Sequence, residues 1–161
     1  MPSMTDPHVA LVSFQQAFSA GLLDLHRGTL DPNIYLHTDS EHGFLRMTYV
    51  RIDNGVVTAF VNFARVEPID GSPCLAIGVA VPERHRNKGL AKSTVEAAIR
   101  ELAAGFGRNG HPPFYVEAVV SVDNEPSKKV ATAVLSREPE QITDSVSGLP
   151  ALRFILKVEA T

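Results

Sequence analysis

The sequence predicts an α+β fold, a mixed, mostly antiparallel central sheet flanked by helices. Three observations carry this. Two β-rich runs, "FLRMTYVRI" and "VVTAFVNFARV", flank the tripeptide "DNG", and Asn54-Gly55 supplies the positive φ angles of a tight hairpin turn. A continuous apolar run, "CLAIGVAV", gives way at residue 89 to helical periodicity, and a second apolar strand, "FYVEAVVSV", follows. The last run alternates Leu152, Phe154, Leu156 and Val158 with Arg153 and Lys157, the pattern of a strand buried on one face.

The elements follow in order. Residues 1–7, with two prolines, read as a loose end. From His8 to about Leu25 apolar residues recur at roughly helical spacing, although "HVALVSF" reads equally as a short strand. "DPNIYLHTDS" is a turn and a short strand, and the Asn54-Gly55 hairpin comes next. "EPIDGSP" turns the chain into "CLAIGVAV", a run apolar enough to be covered on both faces. Over 89–105, Ala91, Val95, Ala98, Ile99, Leu102 and Phe106 form one helical stripe opposite Lys92, Glu96 and Arg100. Gly105, Gly107, Gly110 and two prolines close that helix. "DNEPSKKVATAVL" opens a second helix, with Asp123 or Asn124 as N-cap and Pro126 in the first turn. "EQITDSVSG" and "ALRFILKV" make a final hairpin.

Composition narrows the class. A chain of 161 residues, 44% hydrophobic and 20% charged, suits one globular domain spanning 1–161. The net charge of −3 asks for neither nucleic acid nor membrane. A single cysteine, Cys74, excludes an internal disulfide and fits a reducing compartment. With no membrane-length apolar stretch and no basic leader, the expected location is the cytoplasm. The six histidines show no metal-ligand spacing, so no metal is expected. His37 and His42, with Asp39 and Glu41 between them, read as a polar turn or as part of a binding cleft.

The chemistry concentrates in "VAVPERHRNKGLAKSTVEAAI", residues 79–99. A strand that leads through a glycine-bearing loop into a helix leaves backbone N–H groups side by side at the positive end of the helix dipole. That arrangement binds an anion such as a pyrophosphate. Gly89 lets the backbone approach closely, Ala91 keeps the helix start uncrowded, and Arg84, Arg86 and Lys88 add charge at the mouth. Taken alone, such a loop is more often a plain solvated connection.

The spacing adds to this. Arg86-Asn87-Lys88-Gly89-Leu90-Ala91 fits Gln/Arg-x-x-Gly-x-Gly/Ala after a strand ending Val79-Ala80-Val81-Pro82. This resembles the acyl-CoA signature of the GNAT superfamily of N-acyltransferases. Asn124-Glu125-Pro126-Ser127-Lys128-Lys129-Val130-Ala131 is similar to the Asn-x-x-Ser-x-x-Val segment of that family's second helix motif. The two motifs stand in the right order, each on the expected element.

The resemblance implies a sheet whose two central strands, residues 74–81 and 113–121, splay apart to admit the pantetheine arm of acetyl-CoA. Backbone groups of Val79, Ala80 and Val81 would hold pantetheine. N–H groups of Arg86, Asn87, Lys88, Gly89, Leu90 and Ala91 would hold the pyrophosphate, and Asn124 and Ser127 would bind from the other strand's side. It implies an N-acetyltransferase that moves an acetyl or other short acyl group from CoA to a small-molecule or peptide amine by direct attack. The sequence departs from the family where "SPCLAIGVAV" lacks the glutamate many members carry, and where Ala131 replaces a tyrosine. Glu117, the one carboxylate inside "FYVEAVVSV", is then the candidate base, against the plainer reading that it pairs with a cation. A non-catalytic acyl-CoA-binding sensor of the same fold is the second reading. A third is an unrelated α+β protein whose basic loop takes another phosphate. The last hairpin offers an edge for a homodimer.

Overall fold

The computed structural model describes residues 6–41, 44–110 and 113–159; residues 1–5 of the expected loose end, His42 and His111 lie outside these. Helix α1, Pro7–Ser19, starts with the Asp6 carboxylate accepting the N–H of His8 and with proline in its first turn, where a missing donor costs nothing. It ends well before Leu25. Gly21 takes φ +72, and the N–H groups of Gly21 and Leu22 turn back onto the carbonyls of Phe18 and Ala17, a Schellman closure.

Eight strands follow, interrupted by two helices. Strand β1 (His26–Arg27) is a two-residue pairing invisible in the sequence. β2 (Tyr35–Glu41), β3 (Phe44–Asp53), β4 (Val56–Ile69) and β5 (Ser72–Ala80) form a meander. Its β3–β4 turn has Asn54 and Gly55 at φ 49 and 78. The β4–β5 turn repeats this with Asp70 and Gly71 at φ 49 and 77, the left-handed pair that suits the twist of flanking strands. Helix α2 (Leu90–Arg108), β6 (Phe114–Ser121), α3 (Glu125–Val134), β7 (Glu140–Thr143) and β8 (Pro150–Val158) complete the chain. The sheet order is β1-β2-β3-β4-β5-β6-β8-β7, antiparallel except for β5 beside β6. α2 runs past Gly105 and Gly107 to Arg108. Each helix glycine costs only ~1 kcal/mol, and Phe106 is held edge-on against Phe114 at 4.6 Å.

Helices cover both faces. α2 and α3 pack over a core that includes Val61, Phe63, Val95, Ala98, Phe114, Val116 and Phe154. On the opposite face Leu11 and Phe14 of α1 seal Val50, Val57 and Phe60. The segment 28–34 crosses to the α2 side and is tied down there by one carboxylate. Glu101, only 6% exposed, accepts the N–H groups of Thr29, Leu30 and Asp31 at 3.1, 2.5 and 2.9 Å. Three donors compensate a buried charge that would otherwise be costly. A Cβ on Gly28 would lie 2.3 Å from the Asp31 carbonyl oxygen, so that position admits only glycine. Arg51 adds bonds to Thr94 Oγ1 and Asp31, at 2.9 and 3.4 Å.

Candidate active site

β5 and β6 meet at three register positions only: Cys74 with Tyr115, Leu75 with Val116, and Ala76 with Glu117. Beyond Ala76 each strand keeps its outer neighbour. β5 stays in register with β4 as far as Ala80, and β6 with β8 as far as Ser121. Residues 77–80 and 118–121 therefore form the two arms of a V, no longer paired with one another. Main-chain groups along such a gap can accept an extended ligand as they would an added strand. Val79 packs against the α2-side core, and Ala80 joins the α1-side cluster.

The loop after β5 has a defined shape. A 3-10 turn, Glu83–His85, sends the Arg86 N–H back to the Glu83 carbonyl at 3.2 Å, and the Arg86 Nε reaches the Val81 carbonyl at 2.9 Å. Arg86 is thus the brace of the loop, and the row of open amides starts one residue later, at Asn87. Asn87 and Gly89 both adopt left-handed φ, 63 and 74, and no side chain caps α2. Its first internal bond is Ser93 N–H to the Gly89 carbonyl at 3.1 Å. Among the described residues the N–H groups of Asn87, Lys88, Gly89, Leu90, Ala91 and Lys92 have no acceptor. A Cβ at Gly89 would meet nothing within 4 Å, so the space beside that residue is open. Arg84, Lys88 and Lys92 are exposed around it. Open donors, a helix start and exposed basic residues within one short stretch are what an anion site is built from.

Across the gap, Asn124 caps α3: its Oδ1 accepts the Ser127 N–H at 3.2 Å, and Pro126 lies in the first turn. Both polar residues singled out in the second motif are therefore engaged with each other at the far rim. Ala131, in the place of the family's tyrosine, is buried in the core.

Glu117 lies at the apex of the V, its side chain 16% exposed. Arg153 of β8 reaches it through Nε at 2.9 Å and Nη2 at 2.7 Å, both contacts falling on Oε2, while Nη1 lies 3.6 Å from Glu140. The pairing with a cation weighed from the sequence is present. The partner could be anticipated only from the alternation of β8, which puts Arg153 on the same sheet face. Cys74, fully buried at the apex, has its thiol pushed up to about 11 by burial and then by the Glu117 charge. It packs rather than reacts.

The sequence reading passed over Asn62. It is the one amide within "VVTAFVNFARV", and a polar side chain at an inward position of a buried strand was the available signal.

A family model described as "Acetyltransferase (GNAT) family" matches residues 13–135. The chain belongs to this family. Solved structures agree on the GNAT fold. RimL, a ribosomal alpha-N-protein acetyltransferase in complex with coenzyme A, superposes with a TM-score of 0.55 at 18% identity, over 72% of this chain and 64% of that one. The protein yncA from Salmonella typhimurium, solved with its cofactor acetyl-CoA, gives 0.53 at 20%, over 72% and 66%. A spermidine N-acetyltransferase SpeG chimera from Vibrio cholerae and hSSAT gives 0.53 at 14%, over 70% and 66%. The chain thus spans just under two thirds of the length of these three relatives, and at such identities the likeness is one of fold. No curated protein matches the chain. No helix among the described residues is long and apolar enough to cross a membrane.

Proposed function

We propose that this GNAT-family protein transfers an acetyl or similarly short acyl group from CoA to an amine. The observation that carries the reading is the conjunction of the V beyond Ala76 with the uncapped amides of residues 87–92 at its mouth. The residues fit the cosubstrate. Backbone groups of Val79, Ala80 and Val81 would line the pantetheine arm, though the Val81 carbonyl already serves Arg86. The amides from Asn87 to Ala91 would hold the diphosphate, with Arg86 bracing them. Asn124 and Ser127 would border the other side.

Acetyl-CoA brings an activated carbonyl carbon; in the transfer an N–C bond forms, the C–S bond breaks, and the amine's proton ends on sulfur, giving amide and thiol. The protein must bind both partners, aim an N–H at the developing oxyanion and take up the proton. Glu117 is the carboxylate at the apex. As proton acceptor it would act through Oε1, since Arg153 occupies Oε2. Replacing it by Gln should cut turnover while the KM for acetyl-CoA stays unchanged. Unaltered turnover removes Glu117 from the chemistry and leaves it the Arg153 partner.

The buried Ala131, where a tyrosine would serve as acid, favours a second reading: an acyl-CoA-binding module without turnover. Two measurements decide. Acetyl-CoA at a hundredfold excess over its Kd should add about 2.7 kcal/mol to unfolding stability, whereas ATP and NAD should add none. Thiol release across a panel of amines then separates transfer from binding. No acetyl-CoA stabilisation overturns both readings.

A further inference from the structure

The α1 side of the sheet carries a cleft of about 280 Å³ between α1 and strands β2–β4. One wall is mostly apolar: Val9, Ala10 and Phe14 of α1 beside Ser13, Leu23 after it, and Phe60 below. The floor is polar and ordered by register. His37 pairs with Thr48, Thr48 with Asn62, and Asn62 with Gly78. This is one straight row across four strands that ends where β5 has just parted from β6. Strands lie about 4.8 Å apart, so Asn62 stands one strand from the gap and His37 about three.

Asn62 is 6% exposed, and its Oδ1 is buried with no hydrogen-bond partner among the described residues. Buried amides are seldom left this way, because an unmet acceptor forfeits its hydration. Asn62 also lines the cleft, and a turn of its side chain that brings this buried acceptor to the cleft would let it meet an N–H donor. The cleft's carboxylate offers no charge to spare: Arg46 Nε and Nη2 lie on Asp39 Oδ1 and Oδ2 at 3.1 and 2.6 Å. His37 gives its Nδ1–H to the Asp24 carbonyl at 3.1 Å and stacks edge-on against Phe14, so the far wall is not anionic either. The volume equals about nine waters at roughly 30 Å³ each.

We infer that this cleft is the acceptor subsite and takes a compact monoamine with an apolar body, whose nitrogen donates to Asn62 Oδ1. Resting on the acyltransfer reading, this supplies its substrate class. The apolar body lies against Phe14 and Phe60, and the nitrogen points along the row toward Gly78 and the V. Polyamines are rejected because Asp39, the one carboxylate among the described lining residues, is already held by Arg46, which leaves further ammonium groups without a counter-charge.

The test uses the full chain, CoA and 2-phenylethylamine, with spermidine as the contrasting amine. Titration of 2-phenylethylamine into the CoA-loaded protein, followed by amide chemical shifts, should perturb residues of α1 together with His37 and Asn62. Thiol release from acetyl-CoA should favour it over spermidine by tenfold or more in kcat/KM. Asn62→Leu should raise the amine KM about tenfold, the loss of one buried hydrogen bond, while the KM for acetyl-CoA stays unchanged. Phe14→Ala should raise the amine KM independently, which covers the case in which Asn62→Leu misfolds. Shifts confined to another surface, preference for spermidine, or both variants keeping the wild-type amine KM would each overturn the subsite. The shift titration needs no turnover. If the protein binds the amine in this cleft yet releases no thiol, the subsite stands and the acyltransfer reading falls; if CoA fails to bind, the same titration is run on the protein alone.

Discussion

Single residues here act through the main chain more than through their own chemistry. Glu101 gathers three backbone donors of segment 28–34, so Glu101→Ala should strip them all. Hydrogen bonds to a charged group contribute about 1.5–3 kcal/mol each before neighbours adjust, and a net loss of ~3 kcal/mol should appear as a lower urea midpoint at unchanged slope. Gly89 works the opposite way. Its left-handed φ sits in open space, so Gly89→Leu should cost about 1–2 kcal/mol of backbone strain, leave the fold intact and abolish CoA uptake by calorimetry. Unaltered uptake would mean the diphosphate lies elsewhere. Cys74 gives a pH signature. Its thiol is shifted from 9.0 to about 11, so the unfolded chain releases that proton first and stability should fall as pH climbs between those values. Below pH 9 this group contributes no slope, and alkylation of the native protein should be slow there.

At the scale of elements, legibility followed locality. Asn54-Gly55 and Asp70-Gly71 announce their turns because few residues other than glycine and asparagine or aspartate accept left-handed φ. The loop before α2 and the Asn124 cap were readable for the same reason, as was the α2 stripe. What escaped depends on partners far along the chain. The two-residue β1 has too little pattern to show. Glu101 sits in the middle of α2, and its burial is decided by a segment some seventy residues earlier. Asn62 gains meaning only when the register sets it opposite Gly78. Arg153 could be placed on a face, but its grip on Glu117 spans two strands. The glycine-bearing loop before α2 was therefore open to reading, and the cleft beneath α1 was not.

For the whole molecule, the sheet divides into two blocks, one running from β1 to β5 and the other holding β6, β8 and β7, joined along the strands by three register positions. The first block is closed by tight turns and rich in sequence-local pairings, which form early in folding. The second depends on a parallel crossover. Ligand binding at the V should therefore stabilise the junction above all, and acetyl-CoA should raise Tm more for Gly71→Val, which weakens the β4–β5 turn beside it, than for a variant at the distant edge such as Thr143→Ala. Equal gains would show that the two blocks already melt as one unit.

The narrow junction has a kinetic corollary. Along the arms of the V, the backbone hydrogens that face the gap lack a neighbouring strand to shield them, so they should trade with deuterated solvent within seconds in the free protein, while those of β4 persist for hours. An occupant that bridges the arms would slow that isotope uptake and weld the halves into one elastic body.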